Sequence, residues 1–126
     1  MKWFTTSGMV AIFSMVVCAD SGAQTADKFQ RINDSQIRAQ FTGMELSDGT
    51  HWVDIFAAGG VLTSHSMGKK RVGKWSVKNN ELCLDLEKEI SGCFEVWLAG
   101  KRVQLKHKGS DMAFLEGVLR KPSSQR

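Results

Sequence analysis

Proline is almost absent. The single proline in 126 residues, Pro122, follows every candidate strand, so none of them loses a ladder hydrogen bond to it. A long apolar run is missing as well: the stretch from Met9 to Ala19 stops after about eleven residues, where a membrane-spanning helix needs about 20. Charge of one sign is not in large excess, with 17 Lys and Arg against 13 Asp and Glu, and no regular interleaving of aromatic and basic residues suggests a base-stacking platform. Nucleic acid is therefore not an expected partner. No Gly-x-Ser-x-Gly elbow, HExxH, H-x-H or CxxC spacing occurs, and Ala57-Ala58-Gly59-Gly60 is followed by Val61-Leu62 where a phosphate loop requires lysine and a hydroxyl residue. These absences leave an enzyme, a resident metal and a cofactor without support, and none of the three is expected.

What is present begins with an export pattern. Lys2, the apolar run and a polar stretch ending in Ser21-Gly22-Ala23 have the order of a secretory signal peptide, with cleavage expected after Ala23. A lipoprotein cut would make Cys18 the acylated residue, but Val17 stands where a small residue is wanted. Cleavage removes Lys2 and Asp20 together, so the net charge of +4 is unchanged. It also removes Cys18, leaving Cys83 and Cys93 as an even pair, which in an exported protein predicts a disulfide. The expected organisation is a signal peptide over 1–23, a flexible lead over 24–33, one β-rich domain over 34–121 and a tail over 122–126, located in the periplasm or outside the cell. No transmembrane segment is expected after cleavage.

Within the domain the period changes once. Asp34 or Ser35 can cap a helix of about two turns that carries Ile37 and Phe41 on one face and stops at Gly43. So short a helix is marginal alone, so it is expected to dock on one end or edge of a sheet. From there the period is two, punctuated by Asp48-Gly49, Gly59-Gly60, Gly68-Lys69, Asn79-Asn80, Ser91-Gly92, Ala99-Gly100 and Lys108-Gly109. Strands are predicted over 43–46, 51–57, 61–67, 73–77, 81–86, 93–98, 102–107 and 113–119. The fold class is mainly β: an antiparallel meander of seven or eight short strands, closed into a small barrel or folded into a sandwich. Pairing Leu86 with Ile90 across Glu87-Lys88-Glu89 sets Cys83 opposite Cys93 and gathers Leu82, Leu84, Leu86, Phe94, Val96 and Leu98 on the core face.

Three groups of residues are candidates for binding. Lys69, Lys70, Arg71 and Lys74 form a basic cluster that suits an anion, although turn and edge positions in soluble sheets favour the same residues. Trp52, Trp75 and Trp97 are candidate ligand or lid residues, with core filling the plainer use. Gly73-Lys74-Trp75 matches the Gly-x-Trp order of lipocalin-type barrels, yet it lies mid-domain here instead of near the start of a longer chain. His51, His65 and His107 lack metal-site spacing, and Asp54, Asp85 and Glu95 alternate with apolar residues as solvated faces do.

The set Phe41-Thr42-Gly43, Asp48-Gly49-Thr50-His51-Trp52, Gly59-Gly60, Gly73-Lys74-Trp75-Ser76-Val77, Glu81-Leu82-Cys83, Cys93 and Gly100 with Val103 resembles small exported proteobacterial β-domains of unknown function. Members of that group usually carry Asp-Gly before the strand that starts here at Val61, where this chain has Gly-Gly. The shared residues are turn, core and cysteine positions, so the resemblance implies a fold and no activity. The expected role is non-catalytic binding of a protein partner or an anionic envelope polymer. The alternatives are a secreted inhibitor of an envelope hydrolase and a small-ligand-binding barrel.

Overall fold

A computed structural model describes Gly8, residues 28–87 and residues 90–123. The rest of the expected signal segment, the first residues of the lead, the middle of the Glu87-Lys88-Glu89 turn and the end of the tail lie outside the described residues. The elements are β1 (Gln30–Arg31), α1 (Asp34–Phe41), β2 (Glu45–Ser47), β3 (Trp52–Phe56), β4 (Val61–Ser66), β5 (Lys69–Lys78), β6 (Glu81–Asp85), β7 (Ser91–Ala99), β8 (Arg102–Lys106) and β9 (Ala113–Arg120). Each strand from β2 to β8 pairs antiparallel with the next, and β9 returns to β2 through Leu119 opposite Leu46. The expected meander therefore closes as an eight-stranded barrel, so that none of those eight strands is left as an open sheet edge.

The hairpin register follows the sequence: Leu82 faces Phe94, Cys83 faces Cys93, Leu84 faces Gly92, Asp85 faces Ser91, and Leu86 N–H donates to Ile90 O at 2.8 Å. Cys83 and Cys93 are bonded on the outer wall, opposite in direction to the buried Leu82, Leu84 and Leu86. Most strand boundaries differ from those predicted by one or two residues, and two departures are larger. Strand β5 starts at Lys69, four residues before the predicted Gly73, because the turn is only Met67-Gly68, both at positive φ. The lead is not wholly flexible, since β7 extends past β6 and Gln30 and Arg31 pair with the overhang at Leu98 and Trp97. Ile32 N–H continues that ladder to Val96 O at 3.0 Å.

The helix is a plug. Its cap is Asn33 instead of the expected Asp34 or Ser35: Asn33 Oδ1 accepts from Gln36 N at 3.0 Å while Gln36 Oε1 accepts from Asn33 N at 2.9 Å. Asp34 is free for another task, exchanging hydrogen bonds with Asn80 in the β5–β6 turn, and Arg38 donates to Val77 O. These ties hold α1 across the barrel end from which the 57–60 and 79–80 loops project. Ile37 and Phe41 enter that end with no exposed surface. Phe41 meets Phe56 edge-on at 5.0 Å, and Phe56 meets Trp75 edge-on at 5.5 Å, so aromatic packing fills the lower barrel.

Candidate functional site

The opposite end, ringed by the loops after β2, β4, β6 and β8, has no helix over it among the described residues. Its floor is set by strand parity. On β3 the inward positions are Trp52, Asp54 and Phe56, and on β4 they are Leu62, Ser64 and Ser66, with Leu46, Asp54, Ser64 and Arg71 side by side across four strands. Asp54 is 3 % exposed and Ser64 8 %. This corrects the expectation that Asp54 lies on a solvated face: it shares parity with two aromatic residues, so alternation carries it inward. Burial pushes its carboxyl up from the ordinary aspartate value, against a hydrogen bond with Ser64 that pulls it down.

Above this layer is a cavity of about 170 Å³ lined by Trp52, Asp54, Ser64, Ser66, Leu86, Ile90 and Leu115. Trp52 forms one wall by reaching over β2 to β9, where a Cβ on Gly117 would come within 2.9 Å of its indole edge. Gly117 thus leaves the room that the indole takes. The cavity is well below the several hundred Å³ of a drug-sized pocket.

The basic cluster is divided by the same parity. Lys69 and Arg71 share the inward parity of Trp75, whereas Lys70 and Lys74 belong to the outer wall, opposite His65 and Asp85 respectively. Lys69 and Lys70 meet again at the rim, in an open groove of about 330 Å³ that also takes in His51, Trp52, His65 and Met67. Sequence spacing does not join the histidines to the lysines, because the β3–β4–β5 register is needed to do so. His51 Nδ1 is 2.8 Å from Asp48 Oδ2. The backbone N–H groups of Thr50, His51 and Trp52 close on the Asp48 carboxylate, Thr50 most strongly, and hold its pKa far below the ordinary value.

The three tryptophans separate. Trp75 is buried near the plug, where its Nε1 donates to Ala57 O at 2.8 Å. Trp97 lies on the outer wall, donating to Glu95 and covered by Lys106, whose Nζ is 4.4 Å from the ring centre. Trp52 alone of the three reaches the mouth. Glu95 corrects a second expectation of a solvated face, at 8 % exposure. It points outward as alternation requires, but Arg31 from β1 covers it at 3.4 Å. Asp85 is exposed as expected. His107 packs against Phe94 and Phe114, away from the rim groove in the chain of strands, and no group of three or more His, Cys, Asp or Glu among the described residues is placed to hold a metal.

No family model, no curated protein and no solved structure matches the chain. Among the described residues, no helix is long and apolar enough to cross a membrane.

Proposed function

We propose that this chain is an exported, non-catalytic binding domain and that its partner surface is anionic, engaged by the rim groove. One observation carries the reading. The β4–β5 hairpin brings Lys69 and Lys70 together with His51 and His65 around one open groove, with Met67, 82 % exposed, at its tip. A cationic concavity attracts polyanions over distances of about a Debye length, roughly 8–10 Å at physiological salt, and an exposed thioether supplies apolar contact once they meet. The plugged barrel and the disulfide favour this use, because loops fixed on a rigid frame lose little entropy on binding.

The test is retention on immobilised anionic polysaccharide in a salt gradient. Replacing Lys69 and Lys70 together by Gln should lower the eluting salt markedly, whereas replacing Lys78 and Lys101 together by Gln, two exposed residues at the opposite barrel end, should move it much less. Equal shifts from the two changes would mean that net charge alone drives retention and that the groove is not the site.

A further inference from the structure

The buried carboxyl at the barrel mouth stands where the interior turns from apolar to polar. Leu46 is opposite it on one side and Ser64 on the other, Leu62 lies one layer below, and Leu86 and Leu115 line the adjoining cavity. An acid there, bonded to one serine hydroxyl, stabilises the fold less than an aliphatic side chain of the same size, since withdrawing a carboxyl from water is costly unless its acceptors are fully met. The residues needed to fill the space are plainly compatible with the barrel, yet two serines and an acid stand together and a cavity remains in front of them.

We infer that the mouth cavity is a binding site for a small primary alkylammonium group, with Asp54 as the anionic partner, Ser64 and Ser66 as hydroxyl acceptors and Trp52 as the aromatic wall. Four features of the site fit that chemistry together. The carboxylate supplies the counter-charge, and its burial strengthens the attraction. The two hydroxyls offer acceptors to the remaining ammonium protons. The indole offers a π-face to the cation. Leu86, Ile90 and Leu115 then enclose an alkyl chain. Size limits the guest: at ~30 Å³ for each water-sized group, 170 Å³ admits roughly five or six non-hydrogen atoms, the length of a butylamine or of the end of a lysine side chain.

Two cations stand near the entrance. Lys69 is opposite Ser66 and Arg71 opposite Ser64 on the inward parity of β5, but neither lines the cavity, and Arg71 already has an interaction of its own. They would weaken binding of a bare cation without closing the site. The cavity adjoins the rim groove and shares Trp52 and Ser66 with it, but the inference does not rest on the groove, which takes an anion from outside while the cavity takes a cation from within the mouth.

The indole N–H resonance of Trp52 in a proton–nitrogen NMR spectrum reports the site, with those of Trp75 and Trp97 as internal controls far from it. At mildly alkaline pH, n-butylammonium should move the Trp52 resonance saturably and leave the other two in place, while n-butanol and butyrate should bind at least about tenfold more weakly. Asp54→Asn, which keeps the shape of the side chain, should weaken butylammonium about tenfold or more and leave butanol unchanged. Nα-acetyl-lysine amide in place of the free amine shows which source the site admits: a matching shift means that it takes a lysine side-chain tip, and no shift restricts it to free amines. Equal binding of butanol and butylammonium, or no saturable movement of Trp52 with any amine, would overturn the assignment. The comparison of the three wild-type titrations decides the matter even where Asp54→Asn does not fold.

Discussion

Removing the disulfide tests the hairpin on which the barrel register turns. Cys83 and Cys93 are ten residues apart and bonded across directly paired positions of β6 and β7. On the chain-entropy model a ten-residue loop contributes ~2.7 kcal/mol at 25 °C, by restricting the unfolded chain. Both cysteines are on the outer wall and half-buried, so replacing them together by Ala opens no core cavity and adds little to that figure. For a domain of this size the urea dependence is about 1–3 kcal/mol per molar, so the unfolding midpoint of Cys83→Ala/Cys93→Ala should fall by roughly 1–2.7 M. The slope should rise somewhat, because an unfolded chain without the cross-link exposes more surface. Circular dichroism and tryptophan emission would follow the transition, with reduced wild type as a second measurement of the same loss. A midpoint that falls by less than about 0.5 M in both experiments would refute the loop-closure argument and with it the view that the bond clamps neighbouring strands.

Two further predictions address the interior. A Cβ at Gly73 would lie 2.0 Å from Asp85 O, against backbone that cannot rotate away, so Gly73→Ala should cost at least ~1–3 kcal/mol and lower the melting temperature by roughly 10 °C, whereas Gly59→Ala, with open space around its Cβ, should leave it nearly unchanged. Differential scanning fluorimetry on both variants checks this, and equal melting points would sink it. Asp54 has its pKa raised on folding, so its favourable contribution is complete below about 3.8 and is lost as pH rises through the folded value. Asp54→Asn should therefore gain on wild type between acid and neutral pH, by about 1.4 kcal/mol for each unit of the shift, and the gain should then level off. Asp48 acts in the reverse sense, its contribution fading as pH falls below the same value, but it is common to both proteins and cancels in the comparison. A stability difference independent of pH would show that Asp54 does not titrate differently in the two states.

Much of the barrel is legible in the sequence because it rests on local rules. Turn residues every eight to twelve positions divide the chain, and a two-residue period assigns faces within each segment. The three-residue turn after Leu86 fixes the register of Cys83 and Cys93, and every pair from Leu82 to Asp85 follows from it. The start of β5 is less legible, since three consecutive basic residues resemble a solvated turn; only the tight Met67-Gly68 corner shows that they belong to the strand. The strand β1 is less legible still. Gln30 and Arg31 have no pattern of their own, and they are ordered by the overhang that β7 leaves beyond β6.

The site differs in kind from the fold, and Asp54 shows why. Its place in Trp52-x-Asp54-x-Phe56 already puts an acid on the parity of two aromatic residues, and that pattern alone predicts an inward carboxyl. Charge alone suggests a solvated acid, but the parity that the apolar residues on the same strand declare decides its direction. Glu95 carries the same alternation and does point outward, so parity was right there and charge was again a poor guide to burial, because a strand from elsewhere in the chain covers it. Parity is a property of one strand and can be read from it. Which residues meet across strands depends on closure, so the joining of His65 to Lys70, and of Trp52 to Gly117, waits on the barrel itself.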